Sequence, residues 1–323
     1  MCTAISYQTK DHYFGRNLDL EYHYQESVTI TPRHFPFHFR KVKTIDKHFA
    51  IIGMATVVEG YPLYYDATNE HGLSMAGLNF PDNAVYYPPA ADKDNITPFE
   101  LIPWILAQCK TVSEAKDILS RLNLVNISFN KELGLSPLHF MLADKHTSMV
   151  LEPMADGLKI YNNPIGVLTN NPPFDFHLLN LRQYRNLTRE EADSRFSDVY
   201  PLAPFSRGMG AIGLPGDLSS ASRFVRAAFT KLNSVSGDTE WESISQFFHI
   251  LGAVSQQRGC VKVNDAFEKT VYASCCNTDK GIYYYTTYEN SQITAVDMRR
   301  EDLSGTALVS YPLVNKQQIR WEN

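Results

Sequence analysis

The sequence predicts an α+β fold in a single domain, with antiparallel sheets covered by helices. Extended segments joined by short turns fill most of the first half of the 323-residue chain, helical segments lie in the middle and later parts, and extended segments return before the end. A parallel βαβ array would alternate strands and helices regularly. No low-complexity linker or solenoid repeat divides the chain, so one domain fits best.

The first predicted element is a hairpin at the extreme N-terminus. Thr3 to Thr9 and His12 to Leu18 form its strands, and Lys10-Asp11 is a tight polar turn between them. Five more strands are expected in the first half: His48 to Met54, Gly72 to Leu78, Leu138 to Ala143, Ser148 to Glu152 and Gly157 to Tyr161.

Helical spacing of apolar residues runs from about Pro98 through Leu122, with Ser113 as the expected N-cap within that stretch. The polar or proline-bearing stretches Val85 to Asn95 and Asn186 to Arg207 are expected to be long loops, a kind that often covers a site. The later elements are two helices, Ala221 to Leu232 and Trp241 to Val254, and three strands, Val271 to Cys275, Gly281 to Tyr288 and Gln292 to Met298.

Composition excludes several classes of partner. The formal net charge is −5 with both signs mixed along the chain, so there is no basic stripe for nucleic acid and no polybasic patch for a membrane surface. No charged N-terminal region is followed by an apolar run, and no apolar stretch approaches the roughly 18–20 residues of a membrane span. We therefore expect a cytoplasmic protein whose partners are small molecules or copies of itself.

Five cysteines, an odd and irregularly spaced number, predict reduced thiols rather than a disulfide framework. The adjacent Cys275 and Cys276 would point to opposite faces of a strand, and Pro36 breaks the helix that a metal site at His34 and His38 would need. We expect no metal and no cofactor.

Cys2 stands directly after Met1, and this position could give one residue two catalytic groups. Removal of Met1 would leave Cys2 with a thiol and a free α-amine, whose pKa of about 7.7–8.0 lets it accept the thiol proton near neutral pH. No histidine would then be needed as the general base. From position alone, an ordinary buried cysteine at the start of a strand is the more common outcome.

Several polar residues could act with Cys2. The hairpin brings Arg16 and Asp19 alongside the first strand, where an arginine favours a thiolate and a carboxylate can hold the amine; a surface Arg and Asp beside a turn is an equal alternative. Asn79 and Asn170 end strands and could donate to an oxyanion, although single asparagines there are more often turn formers. Arg223 lies in the first turn of a predicted helix, where the helix dipole does not favour a cation.

Six ordered motifs together resemble the choloylglycine hydrolase family, and its bile salt hydrolases more than its penicillin V acylases. They extend from Cys2 to about Met298 and are MCTAI, FGRNLD, NEHGLSMAGLNFP, GVLTNNPPFDFHLLNL, GLPGDLSSASRFVRAAF and GIYYYTTYEN. The resemblance implies the αββα sandwich of the N-terminal-nucleophile (Ntn) hydrolases, hydrolysis of linear amide C–N bonds in conjugated bile acids, and a homotetramer.

The resemblance also implies roles for individual residues. Cys2 is the nucleophile with its own amine as base, Arg16 lies beside the thiol, and Asp19 lies beside the amine. Asn79 and Asn170 are linked to the oxyanion site and the terminus, and Arg223 is a conserved polar member of the site. Family acylases that prefer penicillin V tend to carry tyrosine at the position of Asn79, which favours bile salts here.

By the same resemblance, an apolar slot for the steroid and one anion contact are expected. Each slot residue could equally be plain core. Arg207, in a loop associated with the choice between glycine and taurine conjugates, is expected to meet the carboxylate or sulfonate. The slot residues are Leu18, Val58, Phe129, Leu133 and Leu138.

Two alternatives remain open at this point. The same terminal-cysteine chemistry would serve an acylase for penicillin V or for an acyl-homoserine lactone. A protein of another class, a non-catalytic steroid-binding protein, would keep the cleft and retain Met1.

Overall fold

Two β-sheets packed face to face, with helices on their outer sides, form the computed structural model, which describes residues 1–191, 193–200 and 202–323. This arrangement confirms the predicted α+β sandwich. Neighbouring strands in both sheets are antiparallel, because the chain turns back through hairpins and short connections.

The first sheet holds the N-terminal strand beside the short edge strand β12. Its order is β12-β1-β2-β14-β15-β16, with β13 paired to β14. The strands are β1 (Cys2–Gln8), β2 (His12–Leu20), β12 (Val167–Leu168), β13 (Val261–Val263), β14 (Ala266–Asn277), β15 (Ile282–Thr287) and β16 (Asn290–Asp297).

The second sheet has the order β11-β10-β9-β6-β5-β4-β3-β17. A separate parallel pair is formed by β7 (Asp94–Ile96) and β8 (Leu122–Leu124). The strands of the second sheet are β3 (Ser27–Thr31), β4 (Ile51–Val58), β5 (Tyr61–Asn69), β6 (Ser74–Asn79), β9 (Leu138–Ala143), β10 (Ser148–Met154), β11 (Gly157–Asn162) and β17 (Val309–Pro312).

Helices cover both outer faces. The first helix packs on the second sheet, and the last two pack on the first sheet. They are α1 (Leu101–Gln108), α2 (Val112–Leu119), α3 (Phe174–Leu181), α4 (Ser220–Asn233) and α5 (Glu240–Gly252). One buried cluster fills the space between the sheets and beneath α4 and α5, and a second lies between the second sheet and α1.

The predicted N-cap Ser113 is wrong. Thr111 caps α2, since its hydroxyl accepts the Glu114 N–H at 3.2 Å, and Ser113 lies within the helix. The correct signal was available, because Thr111 precedes Glu114 by the three residues that place an acidic side chain in the first turn.

Among the elements missed by the sequence analysis are β3, β5 and α3, together with the short strands β7, β8, β13 and β17. In β5 the pattern of alternating residues is interrupted, because the register with β4 shifts between Met54 and Ala55 and leaves Tyr65 as an extra residue. Pro62 also weakened the strand signal. The prolines before α3 had indicated only a turn.

The predicted loop from Asn186 to Arg207 includes residues 192 and 201, which lie outside the described residues. Its other residues form no helix or strand. Within the described ranges, no helix combines the length and apolar character needed to cross a membrane. The single-domain organisation stays a prediction.

Candidate active site

Cys2 begins β1 and is almost fully buried, with 2% of its surface exposed. It pairs with Leu18 of β2. Its backbone nitrogen donates to Asn170 Oδ1 at 2.8 Å, and its carbonyl accepts from Arg223 Nη1 at 2.5 Å. Both backbone polar groups of the residue are therefore held by side chains from distant parts of the chain.

Asn170 connects the terminus to the end of β6. Its Oδ1 accepts from both Cys2 and Arg223, and its Nδ2 donates to the carbonyl of Asn79 at 2.7 Å. Its own N–H donates to Ser220 Oγ at 2.8 Å. The Asn79 side chain itself is exposed. The predicted pair of asparagines is thus adjacent, with Asn170 oriented toward Cys2.

Arg223 reaches from the first turn of α4 into this network. It is fully buried, and Nη1 also donates to Thr3 Oγ1 at 2.7 Å, while Nε donates to the Leu218 carbonyl at 3.1 Å. Burial lowers the pKa of Arg223, and the negative charge of Asp19 acts in the opposite direction. The dipole of α4 does not favour a cation in the first turn, and the guanidinium is held there by its hydrogen bonds to the first strand.

Arg16 lies on the same face of the first sheet as Cys2, because it is two residues from Leu18, the partner of Cys2. Its Nη1 donates to the carbonyls of Gly77 and, at 3.1 Å, Tyr65. Burial lowers the pKa of Arg16, but the opposing effect of Cys2, Tyr272, Asp66 and Asp19 leaves it raised. Within the described residues, Arg16 Nη2 makes no hydrogen bond.

Asp19 and Met1 form a second contact region at the terminus. The Met1 ammonium donates to the Asp19 carbonyl at 2.6 Å, and the Asp19 N–H donates to the Met1 carbonyl at 2.9 Å. Thr270 Oγ1 donates to Asp19 Oδ1 at 2.6 Å. Burial raises the pKa of Asp19, with Arg223 and the terminal ammonium opposing it.

Glu268 was missed by the sequence analysis. Its side chain is 5% exposed, and its Oε1 lies 2.9 Å from the Met1 ammonium. Burial raises the pKa of Glu268, while the ammonium opposes that effect. The predicted strand began only at Val271, so the sequence pattern gave no reason to place this carboxylate near the terminus.

Two buried histidines support Asn170 and its neighbour. His139 lies between Glu152 Oε1, at 3.0 Å, and the Thr169 carbonyl, at 2.9 Å. His177 Nε2 donates to the Asn170 carbonyl at 2.9 Å, and its ring stacks on Phe224. These contacts fix the short segment after β12 from which Asn170 extends. Neither histidine was identified from the sequence.

The predicted slot residues on strands lie at one end of the sandwich. Leu18 is buried opposite Cys2, and the half-buried Leu138 pairs with Asn79. Val58, also half-buried, ends β4 at the same end of the second sheet, because β4 and β6 run in the same direction on either side of β5.

The remaining predicted contacts are in loops. Phe129 is buried and its ring lies 5.2 Å from that of Phe99, whereas Leu133 is half-buried. Asn130, between them, donates to Glu59 Oε1 at 3.2 Å and ties this loop to the β4–β5 turn. Arg207 is exposed. The structure thus links the loop of Phe129 and Leu133 to the end of β4, and it shows no contact between Arg207 and Cys2.

A cavity of about 470 Å³ lies on the helix-covered side of the first sheet, with Asn17, Phe248, His249 and Tyr288 in its wall. Asn17 and Arg16 are consecutive in β2, so their side chains point to opposite faces. The Cys2 thiol therefore lies on the other side of the sheet from this cavity.

Comparisons with known proteins give a consistent result. The family model described as linear amide C–N hydrolases, choloylglycine hydrolase family, matches residues 2–311. A bile salt hydrolase/transferase of Lactiplantibacillus plantarum is 59% identical over 319 residues, 98% of each chain, and one of Clostridium perfringens is 38% identical over 317 residues, 96% of each.

Solved structures show the same fold. The C2A mutant of the conjugated bile acid hydrolase from Clostridium perfringens matches with a TM-score of 0.92 and 36% identity over the whole of both chains. A penicillin V acylase from Agrobacterium tumefaciens matches with a TM-score of 0.77 over 96% of this chain and 90% of that one; at 19% identity this shows the fold alone.

The burial of His177, which donates to the Asn170 carbonyl, predicts that the stability of the protein depends on pH. Burial lowers the pKa of His177 from 6.5 to about 4. Below about pH 6.5 the unfolded chain binds a proton that the folded chain does not bind until about pH 4, so the free energy of unfolding falls as the pH is lowered through this window. For one histidine the loss is about 3 kcal/mol.

His177→Gln is expected to remove that loss, measured by urea denaturation at several pH values between these limits. His12, whose pKa burial also lowers to about 4, stays in the variant and keeps its own share of the pH dependence. An unchanged pH dependence in His177→Gln would show that His177 is not the group responsible.

Proposed function

We propose that this chain, which belongs to the choloylglycine hydrolase family of linear amide C–N hydrolases, hydrolyses the amide bond of glycine- or taurine-conjugated bile acids with Cys2 as nucleophile. The family membership confirms the resemblance read from the six motifs. One observation carries the proposal. Cys2 begins β1, an interior strand of the first sheet, and is held there by Asn170 and Arg223.

Maturation is the first step of the proposed mechanism. With Met1 present, the nitrogen of Cys2 is an amide and cannot act as a base. Removal of Met1 turns this nitrogen into an α-amine at a position where Asn170 Oδ1 already accepts from it at 2.8 Å. Asp19 and Glu268, which hold the Met1 ammonium, then lie close to the new terminus.

Amide cleavage follows in two stages. The α-amine takes the thiol proton, the sulfur bonds to the amide carbonyl, and the resulting tetrahedral oxyanion is stabilised by Asn79 and backbone N–H groups. The ammonium then protonates the departing nitrogen of glycine or taurine as the C–N bond breaks, leaving a thioester. Water, deprotonated by the same amine, attacks the thioester and releases the free bile acid and the thiol.

Recognition of the steroid is assigned to the apolar residues at this end of the sandwich. Leu18, Val58, Phe129, Leu133 and Leu138 would contact its rings, in agreement with the grouping of the strand residues near Cys2 and Asn79. Apolar walls with few polar anchors suit such a ligand. Arg207, exposed on its loop, would meet the anionic end of the conjugate.

The second candidate is an acylase for penicillin V or for an acyl-homoserine lactone. The terminal-cysteine chemistry would be the same for these amides. The likeness to a penicillin V acylase is one of fold, whereas the curated bile salt hydrolases match over nearly the whole chain, so bile acid conjugates are favoured. A non-catalytic steroid-binding protein would retain Met1.

Hydrolysis of glycocholate and taurocholate is expected from the mature protein, measured as freed glycine or taurine. Cys2→Ala should abolish hydrolysis. Cys2→Ser should reduce it strongly, because near neutral pH a hydroxyl is a weaker nucleophile than a thiol. Penicillin V and an acyl-homoserine lactone, assayed in parallel, should give lower kcat/KM. Hydrolysis that persists in Cys2→Ala would place the nucleophile elsewhere.

Asn79→Ala tests the oxyanion assignment. Loss of one donor to the oxyanion typically lowers kcat by about 10²–10³ with little change in KM. Asn83→Ala, a nearby exchange of a half-buried asparagine, serves as the control and should leave both constants within about twofold. A full kcat in Asn79→Ala would remove this residue from the mechanism.

Arg207→Ala tests the anion contact. If the guanidinium meets the carboxylate or sulfonate, KM should rise for at least one of the two conjugates, by about tenfold for a single charge-assisted hydrogen bond. Arg195→Ala, another exposed arginine in the same part of the chain, is the matched control. Unchanged KM on both glycocholate and taurocholate would overturn the assignment.

A homotetramer in the cytoplasm completes the proposal. Several large apolar side chains are exposed in one stretch after α3, among them Phe196, Val199 and Phe205, as expected for a surface covered by another copy. Light scattering of the mature protein should give four times the chain mass of 36.7 kDa, and a monomeric mass would contradict the tetramer.

A further inference from the structure

A buried carboxylate with no assigned role belongs to the hydrogen-bond network around Arg16. Asp66 of β5 is 2% exposed. It accepts hydrogen bonds from Tyr272 Oη and Tyr283 Oη, each at 2.7 Å, and from Ser274 Oγ at 3.3 Å. Three hydroxyl donors converge on one carboxylate between the two sheets, an arrangement that solvates a negative charge in the absence of water.

The backbone around Asp66 also holds Arg16. The extra residue of the β-bulge, Tyr65, has no partner opposite it in β4, and its carbonyl accepts from Arg16 Nη1 at 3.1 Å. Ser274 Oγ accepts the backbone N–H of Arg16 at 3.1 Å while it donates to Asp66. Arg16 and Asp66 are therefore parts of one connected network.

The charges that act on Arg16 come from several elements. Cys2 and Asp66 both favour its positive charge, as do Tyr272 and Asp19. Burial raises the pKa of Asp66, and Arg16 is the largest influence that opposes this effect. The remaining titratable groups facing Cys2, Arg16 or Asp66 are Tyr65 on β5, Cys276 on β14, Tyr283 on β15 and Arg223 on α4, together with the α-amine after maturation.

We propose that Asp66 is a positioning residue. Its negative charge partly offsets the positive charge of Arg16 and so sets the pH at which Cys2 becomes reactive. The guanidinium is anchored by the carbonyls of Tyr65 and Gly77, and the negative charges of the Asp66 carboxylate and the Cys2 thiolate both act on it. Asp66 is held in the network by its three hydroxyl donors, whereas the thiolate forms only when the proton leaves the Cys2 sulfur. Asp66 therefore limits how strongly Arg16 favours the thiolate before substrate binds.

The proposal rests on Cys2 being the nucleophile of the proposed function, but its test needs no bile acid. The rate of alkylation of Cys2 by iodoacetamide follows the thiolate, so its pH midpoint reports the charges around the sulfur. Peptide mass spectrometry separates Cys2 from the other cysteines, including the exposed Cys260.

Three variants of the mature protein have distinct expected midpoints. Asp66→Asn removes a negative charge and lowers the midpoint by about one pH unit, the scale of a unit charge about 12 Å away at an effective dielectric constant near 20. Arg16→Gln removes the positive charge and raises it. The double variant removes both charges and returns the midpoint close to that of the unaltered protein.

Asp144→Asn is the matched control. Asp144 is a buried carboxylate, 8% exposed, that accepts the Val112 N–H at 2.8 Å and does not face Cys2. This variant is expected to lower thermal stability and leave the midpoint unchanged, which separates a structural loss from a change of charge at the thiol.

An unchanged or raised midpoint in Asp66→Asn overturns the proposal. If that variant does not fold, Tyr283→Phe removes one donor from the carboxylate, favours its protonated form and should lower the midpoint by a smaller amount; no change there also overturns it. A lowered midpoint in a protein without hydrolytic activity on bile acid conjugates would refute the proposed function and leave the role of Asp66 intact.

Discussion

The hydrogen bond from the Cys2 nitrogen to Asn170 Oδ1 is the contact on which the rest of the site depends. It joins the first residue of β1 to the segment after β12, and the same oxygen accepts from Arg223. Through Asn170 Nδ2 the contact continues to the end of β6 in the opposite sheet. The amide thus fixes the nitrogen that would become the catalytic base relative to both sheets.

Charge is arranged on two sides of the first sheet. Arg16 faces the second sheet together with Cys2 and Asp66, and Arg223 lies on the helix-covered side with Asp19 and Glu268. An arginine buried without an anion would cost several kcal/mol, so each needs carboxylates close by. The strand carrying Cys2 therefore has a cation on either side, one contacting its carbonyl and the other on the face that carries the Cys2 side chain.

The sequence predicted the parts of the site that depend on local pattern. Alternating residues and a two-residue turn gave the β1–β2 hairpin, and the hairpin alone placed Arg16 and Asp19 near Cys2. Asn79 and Asn170 were found because each ends a recognisable strand. Their actual contact is long-range and could be proposed only through the family resemblance.

Other residues depend on pairings that no local pattern reveals. Glu268 approaches the terminus because β14 pairs with β2, about 250 residues earlier in the chain, and Asp66 approaches Arg16 because a β-bulge shifts the register of β5. The roles of individual residues, and the slot from Leu18 to Leu138, stay predictions. A side chain that lines a cleft and one that fills a core have the same apolar pattern.

The most direct test of the account is to control when Cys2 becomes the terminus. A chain is prepared in which a protease-cleavable leader replaces Met1, and hydrolysis of glycocholate is measured before and after cleavage exposes Cys2. The account predicts no hydrolysis while the nitrogen of Cys2 is an amide and the appearance of activity once the leader is removed. Equal hydrolysis before and after cleavage would contradict it.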